Sequence, residues 1–298
     1  MNKTKITLLL MIAFLVLAAV ACEKNPEKKK VEEIAPAPIV VKAWEPTAFS
    51  LDTDRLPPNY LGIDPVKFYE MFKSKVENIK KGEFETAKDF AQRTANKDLL
   101  LSPINTSDLY AFRISDIKME YHIKYNADAQ TYRIDYSCKE TYSFGNFGKS
   151  KNWVTCKVDS ISRKTDTYAG SNAFGASRNV ERTEGHDFAL AIPKGSVALR
   201  AAFSKDREPT DYYKWRERFR VPLEKARNLK SMELALLFIG RVKDAKIIKG
   251  QTTILKPTID DPFGPRDIYI TEDAVPFEIK KIVFYVVQTG EILWQRAY

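Results

Sequence analysis

Histidine and cysteine are scarce in this chain. His122 and His186 are its two imidazoles, and Cys22, Cys138 and Cys156 its three thiols, in 298 residues. Zinc sites draw on clustered Cys and His at short spacing, and none of these five residues forms such a cluster. No H-E-x-x-H pair and no G-x-S-x-G turn is present, which removes the common signatures of zinc and serine hydrolases. Residues 170–177 have the glycine spacing of a phosphate-binding loop, but Ala176 stands where the phosphate-holding lysine belongs, so no nucleotide and no other cofactor is expected. There is no run of five or more Lys and Arg, although the formal net charge is +9. The positive charge is therefore dispersed, and nucleic acid is not expected as a partner. Internal repeats are absent as well.

The N-terminus carries a clear signal. Lys3 and Lys5 precede an apolar run over residues 6–21 that ends in Ala19, Val20 and Ala21, followed by Cys22. A short basic segment, an apolar segment and small residues describe a secretory leader. The run falls short of the roughly 20 apolar residues that cross a bilayer. Small residues placed directly before a cysteine resemble the lipobox of bacterial lipoprotein precursors. The resemblance implies cleavage before Cys22, lipidation of that residue, and membrane association through the lipid. Glu23, where an Asp commonly retains such proteins in the inner membrane, implies the outer membrane, facing the periplasm. Loss of Lys3 and Lys5 with the leader lowers the formal charge from +9 to +7. After residues 1–21 as leader, residues 22–50 read as the lipidated cysteine and a tether broken by Pro26, Pro36, Pro38 and Pro46. A coil of this length spans roughly 30 Å on average.

Residues 51–298 read as the globular part, with a possible sub-boundary near Lys205. Its apolar fraction, 44% over the whole chain, can build one sizeable core or two small ones. Asp64-Pro65 is a helix start, and Phe68, Tyr69, Phe72, Val76 and Ile79 then recur at helical spacing as far as Gly82. Thr86 caps a second, shorter helix. Period-two alternation follows: Ile117, Met119, Tyr121, Ile123 and Tyr125 face one side, with Lys118, Glu120, His122 and Lys124 between them. Residues 132–144 and 152–161 read as a hairpin turning at Phe147, which places Cys138 directly opposite Cys156. In an oxidising compartment that pair is expected as a disulfide. Further strands are expected at 179–183, 188–192, 197–203, 234–242, 279–287 and 291–295, with a short helix at 222–229. The fold class is α+β: a β-dominated antiparallel sheet with two N-terminal helices packed on it.

Phe84, Glu85, Thr86, Asp89, Phe90 and Arg93 resemble an F-E-T-x-x-[DE]-[FY]-x-x-R segment of bacterial envelope and phage-associated proteins. The resemblance brings no activity with it. Thr86 as cap, Phe84 and Phe90 as a hydrophobic staple, and Arg93 at the helix C-terminus give it a structural explanation. His186 and Asp187, with Glu181 and Glu184, form a candidate base pair in a segment that reads as a solvated loop, and Asp260-Asp261 is a weak cation candidate. The best candidate binding surface interleaves aromatic and basic residues: Tyr212, Tyr213, Trp215, Arg216, Arg218 and Arg220. As an amphipathic helix, the same stretch would turn Trp215 inward. The sequence therefore points to a non-catalytic, membrane-tethered envelope module that binds another envelope protein or an anionic polymer. A cell-wall hydrolase and a phage- or plasmid-encoded surface lipoprotein are the alternatives.

Overall fold

Asp64 opens the first helix, α1 (Pro65–Glu77). Its carboxylate accepts from the backbone N–H groups of Val66 and Lys67, both at 3.0 Å, while Pro65 fills the first turn, where no N–H is needed. The apolar spacing buries Phe68, Tyr69 and Phe72, and Phe68 meets Phe112 edge-on with ring centres 4.9 Å apart. The helix stops at Glu77, short of Gly82.

These coordinates come from a computed structural model that describes residues 46–298, apart from 80, 116–121, 146–147, 172–174, 176, 206–211, 251 and 259–263. The leader, Cys22 and most of the tether lie outside the described residues. So do Ile117, Met119, Tyr121, Phe147, Ala176 and Asp260-Asp261. No helix among the described residues is long and apolar enough to cross a membrane.

The second helix, α2 (Ala87–Arg93), buries no residue and so does not pack on the sheet. Phe84 is 95% exposed, and the expected staple with Phe90 is not formed. Ionic geometry replaces it. Glu85 folds back to take two N–H bonds from Arg93, at 2.8 and 2.9 Å, and one from the Gly82 backbone at 3.0 Å. A third short helix, α3 (Lys97–Leu101), is capped by Asn96 and buries Leu101.

The strands are β1 (Tyr110–Arg113), β2 (Ile123–Asn126), β3 (Thr131–Gly145), β4 (Gly148–Ser171), β5 (Ser177–Pro193), β6 (Phe203–Lys205), β7 (Tyr212–Arg220), β8 (Leu234–Val242), β9 (Ile248–Lys249), β10 (Thr253–Leu255), β11 (Arg266–Val286) and β12 (Ile292–Ala297). They form one sheet in the order β1-β8-β11-β5-β4-β3-β7-β6, with β2 on β3 and with β9, β10 and β12 on β11. The sheet is mixed, mostly antiparallel: β5 and β11 run parallel, so the all-antiparallel expectation is corrected. Strands before and after Lys205 interleave, β3 beside β7 and β5 beside β11.

Three expectations change for physical reasons. Residues 197–203 form helix α4 (Val197–Ala202) in place of most of a strand, because the Ser196 hydroxyl caps the Leu199 N–H and helical spacing buries Ala198 and Leu199. The segment around His186 is not a loop. β5 runs through it unbroken because β4 and β11 pair with it on both sides. β4 likewise extends ten residues past the expected end at 161, to Ser171, since β5 supplies partners along its length. The short helix α5 (Leu223–Leu229) follows Pro222.

The sheet curls until its two ends meet across the core. Trp215 on β7 lies against Trp294 on β12 at 5.4 Å, Phe219 against Phe284 at 5.7 Å, and Tyr136 against Phe238 at 5.6 Å. On β3 and β4, the pairs Lys139↔Thr155 and Glu140↔Val154 set the register. Cys138 and Cys156 follow in line, disulfide-bonded with Cα atoms 4.5 Å apart, and both are buried.

Candidate binding face and its cavity

β7 splits the candidate binding residues between two faces. Successive side chains on a strand point to opposite sides. Tyr213, Trp215 and Phe219 therefore pack on the core, with Trp215 fully buried, while Tyr212, Arg216, Arg218 and Arg220 face solvent. The amphipathic element is a strand, not a helix, yet it hides Trp215 just as a helix would have done. Tyr213 and Trp215 are structural. The exposed part of the set is cationic, with Tyr212 at one end beneath Lys139, whose ammonium lies 5.9 Å from the ring centre.

Pairing enlarges this face. Arg218 lies opposite Arg133 on β3, and Arg133 opposite Lys124 on β2, so three cations stand in one row across three strands. Neighbouring strands are about 4.8 Å apart, and successive same-face residues along β7 about 7 Å. Asp135 is the one acid among the described residues of this face. It takes Arg133 at 2.7 Å and Arg216 at 3.1 Å. Lys124, Arg218 and Arg220 have no acid partner among the described residues. Like charges directly opposite one another oppose sheet formation, and such local conflicts are expected where function is served. This grid of charge on a rigid, twisted surface can hold an anionic chain without rearranging.

The face continues into a polar cavity of about 300 Å³. Ser137 and Lys139 of β3 belong to its wall, beside Thr155, Lys157, Arg163, Asp187, Thr253 and Glu272. Asp187 is buried and organises the floor: the Arg163 guanidinium donates to it at 2.5 Å, the Ser160 hydroxyl at 3.0 Å, and Lys157 stands at 3.4 Å. Glu272 pairs with Asp187 across the parallel β5–β11 ladder.

Although adjacent in sequence, His186 and Asp187 point to opposite sides of the sheet. His186 approaches Asp273 at 3.5 Å and the Tyr69 hydroxyl at 3.4 Å, and the Tyr69 hydroxyl donates to Asp273 at 2.5 Å. Lys249 completes the cluster with 2.8 and 3.0 Å contacts to Asp273, which is 1% exposed. Burial, then the bond to Asp273, raises the Tyr69 pKa above its ordinary value. Glu181 and Glu184 take no part; Glu184 faces Arg182 at 4.0 Å. The cluster pins α1 to β5, β9 and β11. It holds no serine, cysteine or second histidine.

Lys124 stood on the polar side of an alternating strand and was legible there. Arg133, Lys139 and Arg163 carry no local signal, because only the long-range β3–β7 and β4–β5 registers bring them to the site. No protein family, no curated protein and no solved structure matches this chain.

Proposed function

We propose that this chain is a lipid-anchored protein of the bacterial envelope that holds an anionic envelope polymer on its β2–β3–β7 face, without catalysis. The carrying observation is the row Lys124–Arg133–Arg218, with Arg220 beside it and one acid, Asp135, among the described residues of the face. The leader and Cys22 support the anchoring part: a diacylated cysteine attaches stably to a bilayer, and the tether gives the domain reach along the outer membrane's periplasmic side. Protein interfaces have an apolar, charge-depleted centre. On this face the apolar side chains of β7 turn inward, which favours a charged polymer over an envelope protein. A hydrolase needs a carboxylate pair at the scissile bond. Of the two carboxylates that line the cavity, Asp187 and Glu272, Asp187 is already engaged by Arg163, Lys157 and Ser160.

The test is retention of the full chain by polygalacturonate. Arg218→Glu combined with Arg220→Glu is expected to lower affinity at least about tenfold at about 0.15 M salt and to flatten the salt dependence. Unchanged affinity in this double variant would overturn the assignment.

A further inference from the structure

We infer that the cavity bordered by β3, β4, β5 and β11 seats one acidic pyranose unit, so that the chain reads sugar hydroxyls as well as charge. This deepens the polymer-binding reading and rests on it for the ligand's origin, but not for its chemistry.

The cavity is continuous with the basic face. Ser137 and Lys139 lie on the solvent side of β3, where Ser137 pairs with Lys214 and Lys139 with Tyr212, and the same two residues form the cavity wall. A polymer lying along β7 therefore has a unit at the cavity mouth.

Lys139, Lys157 and Arg163 offer charge to an anionic group, whereas Asp187 and Glu272 offer only acceptors. A bare polyanion is repelled by those two carboxylates. A pyranose donates its hydroxyls to them and still presents its acid group to the cations. Ser137, Thr155 and Thr253 add groups that both donate and accept. At about 300 Å³ the cavity sits at the small end of ligand sites, the scale of one ring.

A Cβ on Gly185 would overlap the Arg163 guanidinium, and one on Gly250 would overlap the Glu272 carboxylate. Two bare backbone positions thus let two charged side chains lie flat against the sheet and leave the space above them open. The Arg163 guanidinium is held there by its bond to Asp187.

The experiment titrates the full chain by calorimetry with glucuronate, a hexose phosphate, glucose and inorganic phosphate. Glucuronate or the hexose phosphate is expected to bind about tenfold more tightly than glucose and inorganic phosphate, since each charge-assisted hydrogen bond is worth a factor of that order. Whichever acidic sugar binds more tightly identifies the polymer's acid group as carboxylate or phosphate. Gly185→Ala, which displaces Arg163, and Ser137→Ala, at an exposed position that leaves the fold intact, should each weaken that binding. Arg218→Glu with Arg220→Glu should leave it unchanged while polymer retention falls. Inorganic phosphate binding as tightly as the acidic sugars, or no sugar binding by the folded chain, would overturn the inference. Retention of polygalacturonate in that case would leave the basic face standing alone.

Discussion

Arg218 and Trp215 are three residues apart on one strand and have opposite jobs. Arg218 faces Arg133 across the β3–β7 ladder in a like-charge pair, and Trp215 fills the core against Trp294. Like-charge cross-strand pairs cost about 0.2–1 kcal/mol. Arg218→Gln should therefore leave stability unchanged or raise it by up to about 1 kcal/mol in urea unfolding, while weakening polymer binding. Trp215→Ala should cost about 3–5 kcal/mol through cavity formation. A destabilising Arg218→Gln would mean that the row is a structural device. From composition alone both residues look like binding residues; only the strand period separates them, and the sequence did not settle whether the period there was two or 3.6.

The elements show which local signals suffice. α1 was legible because Asp64, Pro65 and the aromatic spacing agree, and the β3–β4 hairpin because the cysteines fall opposite each other. α4 was not, because Val197, Leu199 and Ala201 alternate like a strand while the Ser196 cap decides for a helix. β5 was cut at Gly185 because glycine beside charged residues reads as a turn, whereas two long-range partners hold it extended. Two predictions belong at this scale. Hydrogen bonds from Arg93 and then from the Gly82 backbone lower the Glu85 carboxyl from its ordinary 4.5 to about 2. A depressed folded-state value means that this carboxylate supports α2 fully above about pH 4.5 and loses that role as the pH falls through about 2. A carbon-13 carboxyl titration should show the low midpoint, and Arg93→Ala should return it toward the ordinary value; a midpoint near 4.5 in the unmodified chain would contradict the pairing. The disulfide closes a loop with a sequence separation of 18, for which chain entropy gives about 3 kcal/mol. Cys138→Ser with Cys156→Ser should lower unfolding free energy by about 2–4 kcal/mol, read as a shift in the urea midpoint.

At the scale of the whole molecule, one curled sheet does two things. It closes an aromatic core between β7 and the β8–β11–β12 side, and it leaves an outer face on which charge from separate stretches of chain converges. The strand inventory was mostly legible, because alternation is local. The site was legible along β7 and at Lys124 and no further, because the pairs Arg133↔Arg218 and Glu272↔Asp187 join residues 85 apart in sequence, and no spacing rule within one chain reaches that far. The polymer's place is therefore the β2–β3–β7 face. Carbodiimide coupling of polygalacturonate to lysine amines, mapped by mass spectrometry, tests this most directly. Attachment is expected at Lys124, Lys139 and Lys214. Attachment spread evenly over the surface, or concentrated on Lys88, Lys230 and Lys243, would contradict that placement.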